Sequence, residues 1–524
     1  MQDLKVGLIP SSYNNSIKVI GYCEFSDLEI IRLFNSKEYN KIWDMDGEFT
    51  IIYTNLEQTI IMTSLIGAIQ YFYYFDGKHF SHSKNIIDIM INLDIELLWD
   101  WESLGDLCEL ENMTQNKTLH KNIKRIPAGT LLTYDGNLKL RSRKILDEFK
   151  ITYTDPISSI EIFNNQTMKW IGQDPILSLS GGFDSRLILS SMLNQGIFPK
   201  VVTLGNSNNS DMQVAESIAK QYLLEHIKVQ LVIEDLFENG EYIAYLTNGS
   251  KPCCHWHTFL YPKKAQVNKH QSFYVGTLGE FARSYYFDRG FCALLNDAFS
   301  SHAQYYFWKI KLAKHRTFFE NELDLICDQL NQQISFSGIR ERAKRNASMS
   351  SGDFLAGVTR YYLEQRVPNF YANGISMYNS SASWRSPFHN IKWLYQIWNL
   401  SDHWKLGSNW HRLAIYRNYP SLLEFPEEKG LHHNKLLKKA PLFYWLPVMQ
   451  RHKYKTYDMS TSWYENSLVR EFLIEHSTLI DDLVDRKLID KVISEHTAQQ
   501  NRTRAISFLM TIIFFKLALK NRIN

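Results

Sequence analysis

At 524 residues, with 44% hydrophobic and 22% charged residues, the chain has the composition of a globular protein long enough for two or more domains. Its formal charge of +3 is small for this length and no long basic run occurs, so nothing points to nucleic acid as a partner. MQDLKVGLIP at the N-terminus has no basic region followed by a long apolar run, and the most apolar segment, 505–519, is shorter than the ~20 residues that cross a bilayer.

That segment reads as a packed C-terminal helix; no membrane partner is expected, and the cytoplasm is the expected location. The six cysteines, Cys23, Cys108, Cys253, Cys254, Cys292 and Cys327, form no C-x-x-C pair and suggest neither a zinc site nor a disulfide framework.

Residues 1 to about 150 are rich in short strand-like runs: GEFTIIYTN (47–55), QTIIMTSLIG (58–67), IQYFYYFDGKHFSHS (69–83) and GTLLTYDGNLKLRSR (129–143). Asp76-Gly77 and Asp135-Gly136 have hairpin-turn chemistry between β-branched and aromatic runs. This half is expected to be stacked antiparallel sheets with a few helices, one around 97–110. The texture then changes. ILSLS (176–180) leads into a helix over 185–194 that Gly196 ends; KVVTLG (200–205), a helix over 211–224 and HIKVQLV (226–232) follow. Strand–helix–strand–helix–strand predicts a parallel sheet with right-handed crossovers. Beyond about 300 the pattern is mainly helical. The texture sets a boundary at 152, between regions 1–152 and 153–524.

Between the first of these strands and its helix stands SGGFDS (180–185). A loop beyond the carboxyl end of a parallel strand, opening a helix, presents backbone N–H groups and the positive end of the helix dipole, which suits a phosphate. Gly181 and Gly182 are expected to allow unusual backbone angles and close approach of the anion. The hydroxyls of Ser180 and Ser185 can donate to phosphate oxygens. Asp184 would repel a phosphate unless a cation lies between them, so it reads as a Mg²⁺ ligand. The Walker pattern is absent.

SGGFDS resembles the pyrophosphate-binding loop of the ATP pyrophosphatases, and more narrowly that of the asparagine synthetase family, which includes β-lactam synthetases and lasso-peptide cyclases. TLGNSNNSDMQVAESIAKQYLLEH (203–226), YVGTLGEFARSYY (274–286), SWRSPFHN (383–390) and HRLAIYRNYPSLLEFPEEKG (411–430) are similar to further segments of that family. DGEFTIIYTN, MTSLIGAIQYFYY, FSHSKN and IPAGT follow the order of its glutaminase domain. The resemblance implies an Ntn-hydrolase-like antiparallel β-sandwich with helices, followed by a PP-loop ATP pyrophosphatase domain with a largely helical C-terminal part. It implies ATP and Mg²⁺ at Ser180, Gly181, Gly182, Asp184 and Ser185, adenine and ribose near Thr203 and Gly205, and a further cofactor contact at Gly276 in a second glycine-acid loop. Asp184 and Glu280 would hold Mg²⁺; Lys429 would stabilise charge as AMP leaves.

The sequence also departs from the family. The family's glutamine-dependent members carry an N-terminal cysteine; here Met1 and Gln2 precede a first cysteine at Cys23, so glutamine hydrolysis is not expected. Thr277 stands where relatives place a Glu or Tyr that helps deprotonate the amine, and a Thr hydroxyl is a poor proton acceptor. Arg283 can pair with a phosphate or carboxylate, and Arg385 reads as a structural arginine tied to backbone carbonyls. His255 with His257, and His432 with His433, lack metal-ligand spacing. The expected activity is an AMP-forming amide ligase acting on a small molecule or peptide that carries a carboxylate and an amine. If the product is a macrolactam, a precursor peptide and a leader-binding protein would be its partners. The alternatives are an ATP-binding pseudoenzyme or scaffold and an ammonia-dependent amidotransferase.

Overall fold

The computed structural model describes residues 16–149, 152, 154–172, 174–283, 316–335, 337–339, 341–342, 345, 359–405, 408–426, 466–496 and 500–523. In the N-terminal half, strands β1 (Ser16–Cys23), β2 (Gly47–Thr54) and β3 (Thr59–Thr63) open an antiparallel sheet. β4 (Phe72–Phe75), β5 (Phe80–Ser83) and β6 (Ile123–Arg125) make a second, three-stranded antiparallel sheet in the order β5-β4-β6. β7 (Thr130–Tyr134) and β8 (Leu138–Ser142) complete the first in the order β1-β2-β3-β7-β8.

Both expected hairpins form, for the reason their sequence gives. Asp76 Oδ1 accepts from the amides of Lys78 and His79 at 2.9 and 2.7 Å, and Gly77 takes φ +94°. Gly136 does the same after Asp135, at φ +97°. The helix expected around 97–110 spans Trp101–Leu110, with Asp100 accepting from Ser103 N at 3.0 Å as its N-cap.

The second half is built on a parallel sheet. Its strands are β9 (Ile176–Ser178), β10 (Lys200–Leu204), β11 (His226–Val229), β12 (Ser272–Tyr274) and β13 (Ser383–Arg385), in the order β11-β10-β9-β12-β13 with every pair parallel. Helices Phe183–Asn194 and Ser210–Gln221 make the first crossovers. Gly196, at φ +73°, closes the first of them through Gly196 N to Leu193 O at 3.0 Å. From β9 the chain runs outward to β10 and β11, then returns to the opposite side of β9 with β12 and β13. The strand order therefore reverses between β9 and β12. In open parallel sheets, a crevice forms at such a switch point, beyond the carboxyl ends of the strands.

One hydrophobic cluster joins the two halves: Trp43, Phe49 and Met62 are buried together with Leu177, Leu187, Leu189 and Val201. Apolar burial of this kind, at ~25 cal/mol per Å², is the main term fixing the sheets against one another. The C-terminal helix Thr503–Ile523 packs on helix Ile233–Leu246. Gly240 makes the room: a Cβ there would lie 2.2 Å from a ring carbon of Phe514. Among the described residues no helix is long and apolar enough to cross a membrane.

Candidate functional site

Two loops meet at the switch point. The first, after β9, carries 180–185; the second, after β12, carries 276–280. In the first loop the candidate donors are already engaged by the chain itself. Gly181 N donates to Asp211 Oδ1 at 2.7 Å, and Gly182 N to Ser180 Oγ at 3.2 Å. Ser180 N donates to Ser185 Oγ at 3.1 Å, and the two hydroxyls are 3.2 Å apart. The expectation of unusual angles at the glycine pair is corrected. Gly182 is the helix N-cap at φ −75°, ψ 161°, and neither Gly181 nor Gly182 has a positive φ. Any residue adopts the angles of Gly182, so backbone conformation does not explain glycine at that position.

Arg186, fully buried, locks the loop from below. It donates to Gly181 O at 2.7 Å, Pro426 O at 2.7 Å, Phe425 O at 3.0 Å and Leu422 O at 3.3 Å. The segment 420–426 is thereby tied to the loop. Lys429, three residues further on, lies outside the described residues, as do His432 and His433.

Asp184 sits at the meeting of three elements. Arg283 donates to its Oδ2 at 2.8 Å. His411, fully buried in helix Asn409–Asn418, has Nε2 2.9 Å from Oδ1, an ion-pair distance without hydrogen-bond alignment. Burial alone would raise the Asp184 carboxyl; Arg283 and then His411 outweigh it and hold it below its usual range. Burial keeps His411 below the usual imidazole range despite Asp184. Glu280 moves the other way: burial first, and the Asp184 charge second, push its carboxyl up. Its Oε2 accepts from Tyr362 Oη at 3.0 Å and its Oε1 from Tyr371 Oη at 3.1 Å.

The second loop uses its glycines for close approach to the first. A Cβ on Gly276 would lie 2.8 Å from Asp184 Cβ, and one on Gly279 would lie 2.5 Å from Asp184 Oδ1. Gly276 is thus a contact between loops. Thr203, read as ribose-side, is buried and spends its hydroxyl on Leu179 O at 2.8 Å and His226 Nε2 at 2.9 Å. Gly205 leaves β10 at φ +146°, a backbone region that disfavours side chains. Thr277 Oγ1 is buried without a hydrogen-bond partner, and its carbonyl accepts from Ser386 Oγ at 2.8 Å. Arg385 donates to one backbone carbonyl, Trp384 O at 2.7 Å, and lies 4.3 Å over the Tyr22 ring. His255 Nε2 is 3.8 Å from Glu111.

Sequence reasoning missed Asp211, Gly279, Tyr362, Tyr371 and the pairing of His411. Gly279 had a local signal, a second glycine beside the acid in GTLGE. The others reach the site only through the fold. A cavity of about 420 Å³, lined among others by Asp46, Arg143, Phe149, His389 and Tyr395, includes no residue of the two loops.

Among the described residues no group of three or more His, Cys, Asp and Glu side chains is placed to hold a metal ion. Asp184 and Glu280 instead fit the pattern Mg²⁺ uses, one or two carboxylates completed by water and phosphate oxygens. The mutual effect of their charges, which raises Glu280, is the repulsion a cation between them would relieve. Arg283 now supplies that positive charge to Asp184. Neither a protein-family model nor a curated protein matches the chain.

Proposed function

We propose that this protein is an ATP-dependent, AMP-forming amide ligase, with a degenerate glutaminase-like N-terminal half and a PP-loop synthetase half. The observation that carries the reading is the position of 180–185 and Glu280 on the two loops that flank the switch point of the parallel sheet. A substrate carboxylate oxygen would attack the α-phosphorus of ATP, the α–β bond would break, and pyrophosphate would leave. An amine would then attack the acyl carbon; the C–N bond forms, the bond to AMP breaks, and the amine loses a proton.

Gly181 N and the N-terminus of helix Phe183–Asn194 would take phosphate oxygens once Asp211 withdraws. Asp184 and Glu280 would hold Mg²⁺, which when bound neutralises phosphate charge. Arg283, at the end of the short helix Gly279–Arg283 that follows the second loop, would be released from Asp184 to meet those phosphates. Lys429 retains the role the family resemblance gives it. The described cysteines of the N-terminal half do not favour glutamine as the nitrogen source. Burial pushes the Cys23 thiol up to about 11 and raises Cys108 well above its usual range, so neither offers the thiolate that amide hydrolysis needs. The amine is accordingly free ammonia, a second molecule, or part of the same substrate, as in macrolactam closure.

A second reading, an ATP-binding pseudoenzyme, draws on Thr277 in the base position. Calorimetric titration with Mg²⁺·ATP, followed by pyrophosphate release with candidate carboxylates, separates the two, with Asp184→Ala as control. Binding and release by wild type alone support the ligase; binding without release by any carboxylate supports the pseudoenzyme; no binding overturns both.

A further inference from the structure

Glu280 is held by two tyrosines nine positions apart, and the helix that carries them is wound to make that possible. In an α-helix, at 3.6 residues per turn, nine positions place two side chains on roughly opposite faces. The segment Tyr362–Tyr371 is instead π-helical. At about 4.4 residues per turn, nine positions are close to two full turns, and the side chains share a face. The two rings lie accordingly with centroids 5.6 Å apart, and one hydroxyl reaches each oxygen of Glu280.

The backbone bonds show what keeps this winding. Ala372 N bonds to Val367 O, five residues back. Pro368 O, the acceptor Ala372 N would use in an α-helix, takes Gln70 Nε2 at 2.8 Å. Pro368 has no N–H to give, and its ring disfavours α-winding. Phe370 O accepts from Lys251 Nζ at 3.1 Å, and Gln365 O from Asn369 Nδ2 at 2.9 Å. Gln70 belongs to the N-terminal half, which also reaches the segment through Gln115 N to Gln365 Oε1 at 2.7 Å and Arg366 to Asn112 Oδ1 at 2.9 Å.

We infer that Tyr362 and Tyr371 are positioning residues that aim the Glu280 carboxylate at a divalent cation, and that Gln70 of the N-terminal half acts on the site by bracing the π-helical winding. The inference rests on the ligase reading and gives the N-terminal half a task in it. Partners that orient a metal-ligating side chain govern metal affinity by about 10–100-fold.

The test is titration of the full chain with Mn²⁺ and α,β-methylene-ATP, a non-cleavable probe, read by water-proton relaxation. Tyr362→Phe and Tyr371→Phe should each weaken Mn²⁺ binding about tenfold while melting within about 2 °C of wild type. Gln70→Ala should weaken it comparably, but add little on top of the double tyrosine variant, because it acts through those hydroxyls. Wild-type binding with both tyrosine variants within twofold overturns the positioning role and leaves the ligase reading standing. Full additivity of Gln70→Ala overturns the brace. A wild-type chain that does not bind the probe overturns both the inference and the ligase reading.

Discussion

Replacing Arg186 with Met tests whether the loop is held by its buried guanidinium. Four carbonyls, of Gly181, Leu422, Phe425 and Pro426, accept from this one side chain. Hydrogen bonds to a charged group contribute at least about 1.5 kcal/mol each, or about 6 kcal/mol gross for four. Removing a buried charge returns part of its desolvation cost, several kcal/mol. A net loss of about 2–3 kcal/mol remains, concentrated where the bonds are. A chain of this length is prone to irreversible unfolding, so the local effect is the better measure. In native-state hydrogen exchange, amides of helix Phe183–Asn194 and of 420–426 should exchange about 30- to 150-fold faster in Arg186→Met. Arg186→Lys, with three donors on a shorter reach, should recover part of the protection. Exchange within threefold of wild type in both segments would refute the reasoning, since the loop would then owe its shape to apolar packing alone.

Three further outcomes follow from the same geometry. Gly279→Ala places a Cβ within 2.5 Å of Asp184 Oδ1 and 2.9 Å of its Cβ. It should cost about 1–3 kcal/mol in denaturant unfolding and displace Asp184, with loss of Mg²⁺·ATP binding in calorimetry; unchanged binding would show the two loops yield freely. Asp211→Asn keeps an acceptor for Gly181 N but removes a negative charge from the place a phosphate would enter. Even at water-like screening that repulsion is about 1 kcal/mol, so Mg²⁺·ATP should bind about fivefold more tightly; weaker binding would make Asp211 part of the ligand site. His389 is buried with neither ring nitrogen partnered, and burial lowers it to about 3. The unfolded chain binds a proton there first, so stability is full above the ordinary imidazole value and falls as pH drops toward 3. At pH 5 the loss from this residue is about 2 kcal/mol, which His389→Gln should abolish in paired denaturations at pH 7.5 and 5. Equal pH dependence in the two proteins would contradict it.

What the sequence made legible was local. The Asp-Gly pairs specified their hairpins through side-chain acceptance from the next amides, and SGGFDS stood out because a strand and a helix of clear pattern flank it. β12 and β13 were not legible: each is a three-residue strand outside the strand–helix alternation that marks β9, and the pairings of β12 with β9 and of β13 with β12 each span about a hundred positions. The switch point, which depends on that pairing, could not be read before the fold. Nor could the π-winding of Tyr362–Tyr371: Pro368 signals a departure from α-winding, but the hydrogen bond that occupies its carbonyl comes from Gln70, 298 residues away. Gly276 was noticed as a loop glycine, but its purpose, contact with Asp184, belongs to the packing of two loops.

The pairing within those loops has an electrostatic order of its own. At Gly181 N the chain places a carboxylate, that of Asp211; at Asp184 it places a guanidinium, that of Arg283. These are the charges a phosphate and a divalent cation would bring to the same two atoms. On the proposed ligase reading, entry of Mg²⁺·ATP would proceed by like-for-like exchange, anion for anion and cation for cation, without leaving the partly buried Asp184 carboxylate short of a cation. The exchange is favourable only if both partners leave together. ATP without a cation meets Asp184 still bound to Arg283, and a cation without ATP meets Gly181 still bound to Asp211. On the same ligase reading, the loop would favour the complex over either component, because each internal partner defends one of its two charges.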